Sequence, residues 1–182
     1  MDKLSQWIVR FAPLVPEQAS VLDLACGGGR HARFFLARGA HVTCVDRDLS
    51  GVADLAGRVE LIAADLESGR PDAWPLASRR FDLVVVTNYL FRPLLARLPD
   101  CLTSGGLLLY ETFGLGQERF GRPRNPDFLL RPGELLALAE GRLTVIAYED
   151  GIEQRAAGPT VVQRICARSN DGAGPMPLYP VS

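Results

Sequence analysis

Apolar runs of strand length alternate with glycine- and proline-punctuated stretches along most of the chain. Leu4 to Phe11 predicts a short leading helix, stopped by Pro13 and Pro16. Ser20-Val21-Leu22-Asp23-Leu24-Ala25 predicts a strand that runs into Gly27-Gly28-Gly29. Arg30 to Arg38 predicts a helix with Phe34, Phe35 and Leu36 inward, ended by Gly39. Strands are then expected over His41 to Val45, ending at Asp46, and Val59 to Ala64, ending at Asp65, with a short helix at Leu49 to Ala56 between them. Residues 67–80 read mostly as loop. Phe81 to Val86 carries three consecutive valines, the mark of a strand buried on both faces. A helix is predicted over Tyr89 to Leu98 despite Pro93, a strand over Gly106 to Tyr110, and an irregular stretch over 114–130. A helix opens at Arg131-Pro132-Gly133-Glu134. The closing runs, Leu143 to Tyr148 and Thr160 to Ala167, have no helical pattern between them and are expected to pair as an antiparallel hairpin. The alternation predicts a doubly wound, Rossmann-like α/β fold. Residues 1–168 read as one domain, with 1–16 a candidate capping segment and 169–182 an irregular tail.

The first turn narrows the chemistry. Glycines between a strand and a helix permit positive φ and close approach of a ligand to the backbone. The helix that follows offers free N–H groups at its start. Gly27-Gly28-Gly29-Arg30-His31-Ala32 also matches the dinucleotide pattern G-x-G-x-x-A. Asp23 sits just before the loop and suits holding loop N–H groups or a ligand ammonium. Asp46 ends the second strand, where a carboxylate can take both hydroxyls of a ribose. Asp65 ends the third, where it can accept from an adenine amino group. One such aspartate is commonplace as a helix cap, but three on one rim of a sheet point to a nucleotide-type ligand.

Composition removes competing chemistries. The chain has 182 residues and a formal net charge of −1, and all its basic residues but Lys3 are arginine. An active-site lysine for a Schiff base or a P-loop is therefore not expected. The only histidines are His31 and His41, with no G-x-S-x-G elbow, which disfavours a serine hydrolase. His31 is read as a helix residue without a catalytic role. Cys26, Cys44, Cys101 and Cys166 form no C-x-x-C pair, so neither a metal site nor a disulfide framework is expected. No signal-peptide core or membrane-length apolar run is visible, and a cytoplasmic location is the expectation.

These segments resemble the class I S-adenosylmethionine-dependent methyltransferases. The matching residues are Val21-Leu22-Asp23-Leu24-Ala25-Cys26-Gly27-Gly28-Gly29-Arg30, Val45-Asp46, Ala64-Asp65, Phe81-Asp82-Leu83-Val84 and Leu102-Thr103-Ser104-Gly105-Gly106-Leu107-Leu108-Leu109. Ala25 replaces the first glycine of the family's D/E-x-G-x-G-x-G signature, and Ser104 stands where proline often precedes the later glycine pair. Within the family the chain looks most like small single-domain type 11/12 and tellurite-resistance-like members. The resemblance implies a seven-stranded sheet, mostly parallel with an antiparallel C-terminal hairpin, and S-adenosylmethionine as cofactor. It implies that Asp23 and Gly27 to Gly29 hold the methionine part, with Ala25, Cys26 and Arg47 also at the cofactor. Asp46 would take the ribose, Asp65 and Leu66 would frame the adenine, and Asn88 and Tyr89 would lie near the sulfonium and the acceptor. Cys26 and Cys44 suit either a place beside the cofactor or simple burial as small hydrophobes.

Methyl transfer from a sulfonium is an in-line displacement, so alignment and desolvation are the main demands on the protein. Candidate bases are few: Tyr89, Glu111 and Asp127. An acceptor that ionises easily, is soft or is a carboxylate is therefore expected. Candidates to bind it are Tyr89, Arg92, Phe113, Arg119, Arg122 and Arg124; the loop's arginines and aromatic residues suit a planar or anionic small molecule. The alternative for the loop is an exposed segment whose arginines pair with Glu118 and Asp127. A connection of this length is commonly a lid or disordered. Trp7 in the leading helix either caps the site or packs in the core. Thr87-Asn88-Tyr89-Leu90 is not the N-P-P-Y-type tetrad of adenine-amino and glutamine methylases. The alternatives are an RNA methyltransferase, disfavoured by the near-neutral charge, an NAD-dependent oxidoreductase, and a non-catalytic cofactor-binding module. No membrane partner is expected, and nothing in the sequence sets the oligomeric state.

Overall fold

Seven of the chain's apolar runs become strands: β1 (Ser20–Leu24), β2 (His41–Asp46), β3 (Glu60–Ala63), β4 (Phe81–Thr87), β5 (Leu102–Phe113), β6 (Leu143–Arg155) and β7 (Gly158–Ser169). A computed structural model describes residues 3–70 and 74–171. The strands form one sheet in the order β3-β2-β1-β4-β5-β7-β6. β1 to β5 run parallel, and β7 pairs antiparallel with both β5 and β6. The expected mixed, mostly parallel α/β sheet with its antiparallel closing hairpin is what forms.

Among the described residues four α-helices accompany the sheet: α1 (Gln6–Phe11), α2 (Arg30–Ala37), α3 (Arg92–Leu95) and α4 (Glu134–Ala139). Strand side chains alternate between two apolar layers, as a sheet covered on both faces requires. Val21, Leu83, Val85, Leu107 and Leu109 pack with α1 and α2. Leu22, Leu24, Val84, Val86, Leu108 and Tyr110 pack with α3, α4 and the segment holding Leu66 and Leu76. Among the described residues no helix is long and apolar enough to cross a membrane.

Three sequence expectations change, and one open alternative is resolved. The helix expected over Tyr89 to Leu98 shrinks to α3, because Asn88 takes φ +54 and Pro93 sits in the first turn. The helix around Leu49 to Ala56 is a 3₁₀ helix at Ser50–Leu55. β6 and β7 are far longer than their apolar runs, since antiparallel pairing continues through polar Glu149, Asp150 and Glu153. Trp7 packs in the core: it is 2% exposed and donates its indole N–H to the Ile165 carbonyl at 3.2 Å. Helix α1 therefore seals one face of the sheet and leaves the strand ends open. Of the predicted tail, Ser169 belongs to β7, and residues 172–182 lie outside the described residues.

Candidate functional site

The carboxyl ends of β1 to β4 form one rim. Register places Leu24 beside Val45 and Val86, and Asp46 beside Ala63, so the turns after these strands emerge together. This is where a parallel sheet of this type takes its ligands.

The glycine loop is held from three directions. Asp46 Oδ2 accepts from the Gly27 amide at 2.8 Å, and its Oδ1 accepts from the Asp48 amide at 3.1 Å. Asp23, 2% exposed, accepts from the Ala32 amide at 2.9 Å and so ties β1 to the start of α2. Burial pushes its carboxyl up to about 7, against the Ala32 hydrogen bond and the Arg30 charge. From above, the 3₁₀ helix presses onto the loop. A Cβ on Gly29 would lie 2.3 Å from Val52 Cγ1, and one on Gly51 would lie 3.0 Å from Gly28 Cα. Gly29 also takes φ +67, so both space and backbone demand glycine there. Sequence reasoning had passed over Gly51; its signal was a glycine just after an aspartate-tipped strand. Ala25 takes φ +54, an αL conformation that glycine adopts more readily.

Two adjoining clefts open on the rim. The first, about 360 Å³, is lined by Ala25, Asp46, Arg47, Ala64, Asp65, Leu66, Glu67, Asn88, Tyr89 and Phe128. The second, about 910 Å³, is lined by Leu90, Thr112, Phe113, Arg122, Pro123 and Arg124, among others. Glu67, Asn88, Tyr89 and Phe128 form the wall between them. Charge is sorted across that wall. Three carboxylates face the first cleft against the Arg47 guanidinium; two guanidiniums face the second against Glu67. The Tyr89 hydroxyl is buried with no hydrogen-bond partner. Burial first, then the neighbouring Glu67 charge, raises its pKa, so it stays a phenol at neutral pH.

Other predicted residues lie elsewhere. Asp23 and Cys26 are buried behind the loop rather than on a cleft wall. Cys44 is fully buried, with no exposed surface. Four acceptor-site candidates are corrected. Glu111, 3% exposed, is paired with Arg164 at 3.1 Å and Arg155 at 3.2 Å, because the hairpin's arginines reach across to β5; it lines neither cleft and is no base for the acceptor. Arg92 binds Glu134 through two nitrogens and donates to the carbonyls of Asp127 and Leu129, clamping the loop after β5 to α4. Arg119 is exposed and lines neither cleft, since the 3₁₀ turn at Gln117–Arg119 points it outward. Asp127, also exposed, lines neither cleft.

The 114–130 loop is anchored at its root. Gly114 bridges Leu130, the Leu115 amide donates to the Leu130 carbonyl, and Gln117 Oε1 accepts from the Val161 amide at 2.8 Å. His31, given no catalytic role from sequence, is a joint. Its Nε2 accepts from the Ser5 amide at 3.3 Å, leaving Nδ1 to donate to the Thr87 hydroxyl at 3.4 Å. Burial, then the Arg30 charge, pushes its pKa down to about 3, so it is neutral.

Residues 21–106 match a family model described as a methyltransferase domain. No curated protein matches the chain. Among solved structures it is similar to TehB from Haemophilus influenzae, at 18% identity and a TM-score of 0.74, over 93% of this chain and 64% of that one. The chain thus spans under two thirds of that relative's length. It is also similar to the 1,6-didemethyltoxoflavin-N1-methyltransferase of Burkholderia thailandensis, with bound 1,6-didemethyltoxoflavin and S-adenosylhomocysteine (21% identity, TM-score 0.65, 91% of this chain and 76% of that one). A third likeness is to a TehB-like S-adenosylmethionine-dependent methyltransferase from Corynebacterium glutamicum (18%, 0.59, 89% and 88%).

Sheet order, glycine turn and aspartate-tipped rim together define the class I methyltransferase fold. Residues 21–106, just under half of the chain, match a methyltransferase domain, and one protein of this fold carries bound S-adenosylhomocysteine, the spent form of S-adenosylmethionine. The first cleft fits that group. Its excess of carboxylates suits a sulfonium and an ammonium, and it shares its Asn88–Tyr89 wall with a second, larger space.

Proposed function

We propose that the protein transfers the methyl group of S-adenosylmethionine to a small-molecule acceptor in the second cleft. The observation that carries this reading is the shared wall. An acidic cleft sized for part of a nucleoside and a larger, mostly apolar cleft meet at Asn88, Tyr89 and Phe128, which suits two ligands meeting end to end. Asp46, with two backbone amides already on it, retains lone pairs for the ribose hydroxyls. Asp65 and Leu66 frame the adenine, Ala25 and the backbone of Gly27 to Gly29 hold the methionine part, and Arg47 flanks the ribose.

When bound, the cofactor supplies a methyl carbon that an acceptor lone pair attacks as the carbon–sulfur bond breaks, the bonding pair staying on sulfur in S-adenosylhomocysteine. The protein's residues align and desolvate the reactants. Tyr89 donates its free hydroxyl at the wall, and Phe113 and Phe128 exclude water from the acceptor side. The likeness to a methyltransferase with bound 1,6-didemethyltoxoflavin supports a small-molecule acceptor. Residues 1–168 form one functional domain in this reading, and the four free, buried cysteines support a cytoplasmic setting.

Calorimetric titration with S-adenosylhomocysteine and, separately, NADH tests the reading. S-adenosylhomocysteine should bind and NADH should not. Binding of NADH alone would overturn it.

A further inference from the structure

We propose that the acceptor is a planar aromatic anion, its ring against Phe113 and Phe128 and its acidic group held by Arg122 and Arg124. This rests on the methyl-transfer reading and names the substrate class of the same site.

The second cleft is mostly apolar, with Leu90, Phe113, Pro123 and Phe128 in its walls. At about 910 Å³ it is in the range of small-molecule sites. Aromatic walls favour a flat occupant, because offset stacking and edge contacts both require a ring of defined plane. Charge selects within that class. Several of the chain's arginines have carboxylate partners: Arg92 has Glu134, and Arg155 and Arg164 share Glu111. The Arg122 and Arg124 side chains have no hydrogen bond or ion pair among the described residues, and both line this cleft. They flank Pro123 in sequence, and the Arg122 carbonyl accepts from Gln117 Nε2 at 3.2 Å, which fixes the backbone that presents them. Guanidinium pairs carboxylate and other planar oxyanions with directed hydrogen bonds.

The cleft also lacks a strong base. Tyr89 stays protonated, Glu111 is committed to Arg164 and Arg155, and the one carboxylate in the lining is Glu67, exposed and on the wall shared with the acidic cleft. Two neighbouring cations instead hold an acidic group in its ionised form. The orphan Tyr89 hydroxyl then gains an acceptor for its proton.

The test uses protein saturated with S-adenosylhomocysteine at pH 7 and three probes: salicylate (planar, anionic), salicylamide (planar, uncharged) and cyclohexanecarboxylate (anionic, not planar). Salicylate should bind at least about tenfold more tightly than either control. The double variant Arg122→Ala/Arg124→Ala should weaken salicylate by at least about tenfold and leave S-adenosylhomocysteine affinity within about twofold. Arg119→Ala, outside both clefts, should change neither. All three arginines are exposed, so the variants should keep the parent melting temperature. Salicylate binding no tighter than salicylamide, or unmoved by the double variant, overturns the proposal. Failure of S-adenosylhomocysteine itself to bind would overturn the methyl-transfer reading instead.

Discussion

Asp46 Oδ2 accepts from the Gly27 amide at 2.8 Å, so the tip of β2 holds the loop that leaves β1. One carboxylate thus both shapes the glycine turn and faces the first cleft. Asp46→Ala should weaken S-adenosylhomocysteine by at least about 100-fold, two hydrogen bonds to charged oxygen being lost at roughly 1.5–3 kcal/mol each. Stability should fall by only about 1 kcal/mol for the loop bond. An unchanged dissociation constant in calorimetry would refute the ribose role.

The three successive glycines are not equivalent. Gly29→Ala places a methyl 2.3 Å from Val52 Cγ1 on a backbone at φ +67 and should cost about 2–4 kcal/mol. Gly28 has nothing within 4 Å of an added Cβ and no positive φ, so Gly28→Ala should stay within about 0.5 kcal/mol. Thermal denaturation of the two variants side by side decides it. Equal melting temperatures would mean that the packing of Val52 on the loop yields freely.

Asp23 gives a pH signature. Burial raises its folded pKa to about 7 from the ordinary 3.8. Between those values the folded state binds more protons than the unfolded state, so this contribution to stability is full below about 3.8 and is lost as pH rises toward 7. Asp82, Glu134 and Glu153 act in the opposite sense: hydrogen bonds and ion pairs hold them below their ordinary values, and their contribution is lost on acidification. Asp23→Asn isolates the first effect. Its stability relative to the parent should climb from pH 4 to pH 7 in chemical denaturation; a flat difference would contradict the raised value.

Glu111→Gln should leave S-adenosylhomocysteine affinity within about twofold and lower stability by about 1–3 kcal/mol, because Arg164 and Arg155 lose a nearly buried anion. A large loss of cofactor affinity without a fall in melting temperature would restore Glu111 to the site.

Tyr89→Phe removes a buried hydroxyl that has no partner. The ligand-free variant should be equal to the parent or more stable by up to about 1 kcal/mol, while salicylate binding weakens several-fold. Scanning calorimetry with and without salicylate reads both. Destabilisation of the free protein would show that the hydroxyl is satisfied in solution.

The rim was legible in the chain because it is built from local signals. Asp46 and Asp65 each close an apolar run, Asp23 interrupts one just before its end, and glycine marks the turn. What lay beyond reach depended on which way a side chain faces. Glu111 and Arg92 sit near the ends of the right elements, yet distant carboxylates and arginines claim them across the sheet and the loop. No local pattern encodes a pairing between β5 and β7, 53 residues apart in sequence. The helix after β4 failed for a different reason. Asn88 in the αL region spends a turn of backbone on reaching the cleft, which apolar spacing alone could not reveal.

The 114–130 loop leaves and re-enters the fold at one doorway, closed by the Gly114–Leu130 bridge and the Leu115 amide. Gly114 and Gln117 at its root bond Val161 of β7, whereas the segment around Arg122 to Asn125 bonds no strand of the sheet among the described residues. Its interior is therefore an exchangeable cassette: replacing the segment around Arg122 to Asn125 re-tools the acceptor cleft while β5, β7 and the cofactor rim stay as they are. Divergence toward new acceptors on this scaffold has a short path, running through a handful of positions in one surface excursion.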